Sequence, residues 1–331
     1  MTAPAATSQV TFAAAINRAL EDAMAQDESI TLLGQDIALG FPFGVTKGLV
    51  ERFGAERVRD TPISEAVTMG CGIGAALHGV RSVVEVDFSG FLLLGLDQLV
   101  NNAAKLRYMS DGQLRVPLVV RVGQGPLGSF GAQHSHSLHG WLASVPGLAV
   151  CAPATPQEAY DLMRWSLRQQ DPVVFTEDMR LYTQKGPLAP HDDDVTLGSR
   201  VIRSGSAASA IVYGHGVPLA LRAAETLASE GIELEVLDLR AVSPLDVDGI
   251  AATARRTGRA ICVSDDPLLG GFSATLAAVV SEHAGDTLQA PVVRLGSRHA
   301  PAPYNRELEQ RIFPSAESLT AAVRALVAWE A

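Results

Sequence analysis

Residues 81–88, Arg81-Ser82-Val83-Val84-Glu85-Val86-Asp87-Phe88, lead into a helical run from Leu92 to Met109 and then into residues 117–125, Pro117-Leu118-Val119-Val120-Arg121-Val122-Gly123-Gln124-Gly125. The flanking stretches are rich in β-branched residues and bounded by turn formers, so each reads as a strand. Two strands joined by a long helix are parallel, because the crossover returns the chain to the edge from which it left. The same alternation extends in both directions. Upstream, residues 11–26 (TFAAAINRALEDAMAQ) carry apolar residues at helical spacing, SITLLGQD (29–36) reads as a strand, GVTKGLVERFG (44–54) as a helix closed by Gly54, RVRD (57–60) as a strand, and Ser64 to His78 as a helix. Downstream, LAVCAPA (148–154) and DPVVFTED (171–178) are strands around a helix over Pro156 to Gln169.

The pattern then breaks. Thr183 to Thr196 holds Pro187, Pro190 and three consecutive aspartates without periodicity, which is the composition of a linker. Beyond it the alternation resumes with strands in 206–216, 233–240, 259–266 and 291–297 and helices in 217–231, 246–258 and 272–282. The expectation is an α/β protein of two domains, each a mostly parallel sheet covered by helices: 1–186, a linker over 187–198, and 199–331.

Composition narrows the function. Of 331 residues, 47% are hydrophobic and 19% charged, which suits a folded globular chain. The net charge of −10 and the lack of a basic run argue against nucleic acid, whose binding needs clustered Lys and Arg. Cys71, Cys151 and Cys262 lie far apart and read as buried free thiols. Met1 to Val10 has no apolar core of a secretory leader, and no run of about 18 apolar residues occurs, so the expected location is the cytoplasm, off the membrane.

Several motifs have plain readings. Gly70-Cys71-Gly72-Ile73-Gly74 resembles a dinucleotide fingerprint but lies inside a helical stretch instead of between strand and helix, so close helix packing explains it better. His134-Ser135-His136-Ser137-Leu138-His139 has no local Cys or carboxylate to complete a metal site; it reads as a histidine displayed on a loop made pliant by Gly123, Gly125, Gly128 and Gly131. Neither a G-x-S-x-G elbow nor a phosphate loop with G-K-[ST] occurs. Asp60-Thr61-Pro62-Ile63-Ser64-Glu65 is more informative: a strand ends, Pro62 stiffens the turn, Ser64 can cap the next helix, and Glu65 sits in its first turn among apolar residues. An acid there suits the helix dipole, and a buried carboxylate there needs a partner.

Together with Asp97-Gln98-Leu99-Val100-Asn101-Asn102-Ala103-Ala104-Lys105, Gln133-His134-Ser135, Pro172-Val173-Val174 and Asp238-Leu239-Arg240, that segment resembles the β subunits of pyruvate, branched-chain 2-oxo acid and acetoin dehydrogenases, which are transketolase-like. The resemblance implies a thiamine-diphosphate site in which Glu65 hydrogen-bonds the aminopyrimidine ring nitrogen and passes it a proton, and Phe91 stacks on that ring. Ile63 and Leu94 would line the pocket, and His134 would stand near the reacting centre. Asp87 stands where the family has a neutral residue, and its acid would contact substrate, perturb Glu65 or face away. The family's G-D-G motif for Mg²⁺ and diphosphate is absent, which implies an α subunit that supplies that half, in a heterotetramer with a second β subunit. A lipoyl acyltransferase would receive the acyl group from a small 2-oxo acid; joining or cleaving carbonyl compounds is the alternative. A monovalent cation also fits the family, with no ligands assignable.

Overall fold

The computed structural model describes residues 8–189 and 195–330. In chain order the elements begin with β1 (Ser8–Thr11), α1 (Phe12–Gln26), β2 (Ile30–Gly34), α2 (Leu49–Phe53), β3 (Val58–Asp60), α3 (Glu65–Leu77) and β4 (Arg81–Val86). Then come α4 (Ser89–Asp97), a π-helical turn (Gln98–Ala103), α5 (Ala104–Met109), β5 (Leu118–Gln124), α6 (His139–Ala143), β6 (Ala149–Cys151), α7 (Pro156–Arg168), β7 (Val173–Asp178) and β8 (Lys185–Leu188). The second half contributes β9 (Arg200–Arg203), β10 (Ala208–Val212), α8 (Gly216–Ala228), β11 (Leu234–Asp238), β12 (Ala241–Ser243), α9 (Val247–Thr257) and β13 (Ala260–Pro267). It closes with α10 (Phe272–Ala284), β14 (Val293–Ser297), α11 (Arg306–Gln310) and α12 (Ala316–Val327).

These elements form two compact units, one holding the chain to Gln124 together with Ser144–Thr196, the other Gly125–Ala143 together with the chain from Leu197. In the first unit six parallel strands run in the order β6-β7-β5-β4-β2-β3. β5 is buried at every position, as a central strand covered on both faces must be. α1 starts where Thr11 accepts the Ala14 N–H, and it buries Phe12, Ile16, Leu20 and Met24 at helical spacing. In the second unit five strands run β14-β13-β10-β11-β9, parallel except for the antiparallel edge strand β9.

Some expectations change. The helix expected over 44–54 is confined to Leu49–Phe53, because Gly44 (φ 78°) and Gly48 (φ 84°) take left-handed conformations that break a right-handed helix. The helix after β4 starts earlier, at Ser89, and is interrupted by the π-helical turn. The Pro-rich segment begins as a strand, with β8 pairing antiparallel to β1; of the expected linker, residues 190–194 lie outside the described residues. Cys151 and Cys262 are buried, and burial pushes the Cys262 thiol up to about 12; Cys71 is exposed, because α3 turns that face outward. Among the described residues no helix is long and apolar enough to cross a membrane.

Candidate active site

A doubly wound sheet binds ligands outside the carboxyl ends of its strands, where neighbouring connections diverge. Here β2 feeds β3 on one side while β4 feeds β5 on the other, so the divergence falls at the ends of β2 and β4. Leu33 is level with Val84, and continuing that register brings Asp36 level with Asp87. Asp36 leaves β2 with φ 51°, a conformation that few residues other than Gly, Asn and Asp adopt. The Asp87 carboxyl is pushed up to about 6, by burial first, then by Asp36 and to a lesser degree by Glu65, against the opposing charge of Arg121. Asp87 is half-buried, and its Oδ1 atom is buried with no hydrogen-bond partner among the described residues.

Glu65 opens α3 just past the end of β3. Ser64 takes the N-cap position, but its side chain makes no capping hydrogen bond, contrary to expectation; with φ −165° and ψ 69° it departs from the extended conformation usual at an N-cap. Glu65 itself is half-buried; of the apolar neighbours expected to enclose it Met69 is fully buried, but Ile63 is 73% exposed and Val67 62%. α4 packs beside α3, with Gly95 set against the Glu65 carbonyl and Met69. That helix carries Phe91, half-buried, and Leu94, 60% exposed. A carboxylate at the helix start that follows β3, a second acid at the end of β4 and an exposed apolar rim thus gather at one edge of the sheet and make one wall of the candidate site.

Behind this wall lies a charged network. Arg121, level with Glu85 across β4 and β5, donates from Nε and Nη2 to the two carboxylate oxygens of Glu177 at 2.7 and 2.9 Å, and from Nη1 to Glu85. The Tyr182 hydroxyl donates to Glu177 at 2.8 Å. Burial pulls the guanidinium down, but Glu177 and Glu85 outweigh it and hold Arg121 above its ordinary value. Glu85 is pushed up to about 7 because burial outweighs the attraction of Arg121. Asp87 follows Glu85 by two residues and leaves the sheet on the same side. An aromatic series links this network to the pocket wall. Tyr182 stacks on Phe43 with ring centroids 4.7 Å apart, Phe43 meets Phe88 edge-on at 5.8 Å, and Phe88 meets Phe91 edge-on at 6.0 Å.

Glu65, Ile63, Phe91, Asp87 and Leu94 all belong to the first unit, whereas His134 lies on a loop of the second. His134 is half-buried, its ring edge-on to Phe130 at 6.4 Å. The cluster of three histidines does not converge, because His139 opens α6 and is buried against Asp266. Of the three helical glycines only Gly72 is packed closely, a Cβ there falling 2.5 Å from Val84; nothing approaches Gly74 within 4 Å. Sequence reasoning missed Asp36, Phe43, Phe88 and the Arg121 network. Glu85, Arg121 and Glu177 did carry a signal, since charges inside apolar strands must find partners.

Residues 8–185 match the family model described as the pyrimidine binding domain of transketolase, and residues 198–319 match the transketolase C-terminal domain. The chain is similar to the pyruvate dehydrogenase E1 component subunit beta-1 of Arabidopsis thaliana, 37% identical over 96% of this chain and 89% of that one. It is 38% identical to the 2-oxoisovalerate dehydrogenase subunit beta of Bacillus subtilis, over 96% and 99%. It is 37% identical to the acetoin:2,6-dichlorophenolindophenol oxidoreductase subunit beta of the same organism, over 94% and 95%. Among solved structures, a split-gene transketolase, an inactive β4 tetramer, shares the fold with a TM-score of 0.77 at 19% identity, covering 96% of this chain and 98% of that one.

Proposed function

The chain belongs to the family of 2-oxo acid dehydrogenase β subunits, and from that premise we propose that it is the β subunit of a thiamine-diphosphate-dependent 2-oxo acid dehydrogenase, acting in the cytoplasm with an α subunit. The observation that carries the reading is a half-buried Glu65 and an orphaned Asp87 Oδ1 at the same edge of the sheet as an exposed apolar rim of Ile63, Val67 and Leu94. Such a wall suits a flat heteroaromatic ring that has N–H groups on its edge and apolar faces. It is also only one wall, as expected of a site completed by another chain.

Bound thiamine diphosphate supplies the electron sink for loss of carbon dioxide from a small 2-oxo acid. Glu65 holds the aminopyrimidine ring nitrogen by a hydrogen bond and moves a proton at its carboxyl group. Phe91 stacks on the ring, fixed from behind by Phe88 and Phe43. Ile63 and Leu94 exclude water. Asp87 accepts a hydrogen bond at Oδ1. His134 orients the substrate or the incoming lipoyl acceptor. The α subunit holds the diphosphate through Mg²⁺, and a second β subunit completes the heterotetramer.

Calorimetric titration with thiamine diphosphate and Mg²⁺ tests the reading. Tight binding is expected only after co-expression with an α subunit, and tight binding to this chain alone refutes the divided site. In the assembly, Glu65→Gln is expected to lower the rate of 2-oxo acid oxidation by about 10²–10⁴-fold, the usual contribution of general acid–base catalysis. Unchanged activity removes Glu65 from its role.

A further inference from the structure

The loop that carries His134 belongs to the second unit, although in sequence it lies between β5 and β6 of the first. Two buried carboxylates of the second unit hold this loop by its main chain. On the approach to His134, the Ser129 N–H donates to Glu309 Oε2 at 3.3 Å; Glu309 sits on α11, whose start is capped by Asn305, and it is only 4% exposed. Beyond His134, the Gly140 N–H donates to Asp266 Oδ2 at 3.0 Å, and the same oxygen accepts the Phe272 N–H that starts α10, also at 3.0 Å. Asp266 is 3% exposed. Gly140 admits this approach, since a Cβ there would lie 3.2–3.3 Å from Gly270 O, Phe272 N and Asp266 Oδ2. His139 packs beside the second hold, with Nδ1 3.7 Å from Asp266 Oδ1 and its ring 4.7 Å from Tyr213, which in turn meets Phe272. His134 stands between the two held points, Ser129 and Gly140.

We infer that Asp266 and Glu309 are positioning residues that clamp the His134 loop at its two ends, so that the second unit itself fixes the conformation of the loop that carries His134. The role given to His134 rests on the proposed function; the clamp itself does not. A surface loop rich in Gly samples many conformations, and its ordering at two main-chain N–H groups removes much of that freedom. A carboxylate suits this task because its hydrogen bonds to backbone N–H are charge-assisted, and because neither acid is exposed enough for water to compete. Neither touches the reacting atoms.

The test uses the α/β assembly loaded with thiamine diphosphate and Mg²⁺. Amide hydrogen exchange over 126–143 is followed in Asp266→Ala and Glu309→Ala, alongside kcat and KM for a 2-oxo acid with a dye acceptor. Each variant is expected to speed exchange in that stretch at least tenfold and to leave 81–124 as protected as before. Each should lower kcat towards the value of His134→Ala, with the cofactor titration unchanged. Asp266→Asn and Glu309→Gln, which keep an acceptor oxygen, are expected to restore protection; they also decide the matter if an alanine variant fails to fold. Unchanged exchange over 126–143 overturns the clamp. So does a loosened loop with unchanged kcat where His134→Ala is impaired. If His134→Ala keeps full kcat while the clamp variants still loosen the loop, the clamp stands and the role of His134 falls.

Discussion

Arg121→Met tests the network that supports the pocket wall. The substitution keeps most of the aliphatic volume but removes the cation between Glu177, whose side chain is 1% exposed, and Glu85, 11% exposed. The Arg121–Glu177 pair is bidentate and fully buried, and removing one partner of a buried pair costs about 3–5 kcal/mol. The cost depends on pH in a definite direction. Glu85 has its folded value raised from 4.5 to about 7, so the folded chain keeps a proton that the unfolded chain releases, and stability falls as pH rises through that window. Without Arg121, whose charge opposes this rise, the window extends further up. Urea unfolding followed by circular dichroism at pH 5 and pH 8 should therefore show a larger loss at pH 8, because protonated carboxyls no longer need a countercharge. Adding Glu85→Gln and Glu177→Gln to Arg121→Met should recover most of the loss at pH 8, since neutral side chains leave no buried charge unpaired. A loss below about 1 kcal/mol at pH 8, or the same loss at both pH values, refutes the view that the guanidinium is what holds these acids in the sheet.

Two further predictions concern the same unit. Asp87→Asn is expected to stabilise the isolated chain by about 1–2 kcal/mol above pH 6, allowing for solvent at a half-buried group, and to do nothing at pH 3.5. The wild-type carboxyl, raised from 3.8 to about 6, weakens the fold as pH rises between those values, and a flat difference between the two proteins across that range in thermal or urea unfolding contradicts it. Gly72→Ala is expected to destabilise by about 1–3 kcal/mol through its clash with Val84, whereas Gly74→Ala, in open space on the same helix, should be neutral or stabilising by up to about 1 kcal/mol. Equal effects in the same unfolding experiment contradict the packing explanation.

Much of this protein is local and therefore legible in its sequence. The alternation of β-branched strands with amphipathic helices fixed two α/β halves, because the period of burial is set by backbone geometry. Glu65 at the start of α3 could be found because strand end, proline and helix start are consecutive in the chain. Helix interruptions were less legible, since the breaks at Gly44 and Gly48 depend on φ values that glycine permits without requiring them. The sequence also determined the family, through motifs in register along the chain. Only the tertiary structure decided what stands beside what. Asp36 comes near enough to Asp87 to raise its carboxyl because β2 and β4 are neighbours although β3 lies between them in sequence, and Arg121 finds Glu177 more than fifty residues on because β5 pairs with β7. The His134 loop belongs to the second unit because carboxylates at Asp266 and Glu309 accept its main-chain N–H groups. Propensity acts over a few residues, whereas pairing, ion partners and loop anchors are chosen by the burial of distant segments against one another, which no local pattern encodes.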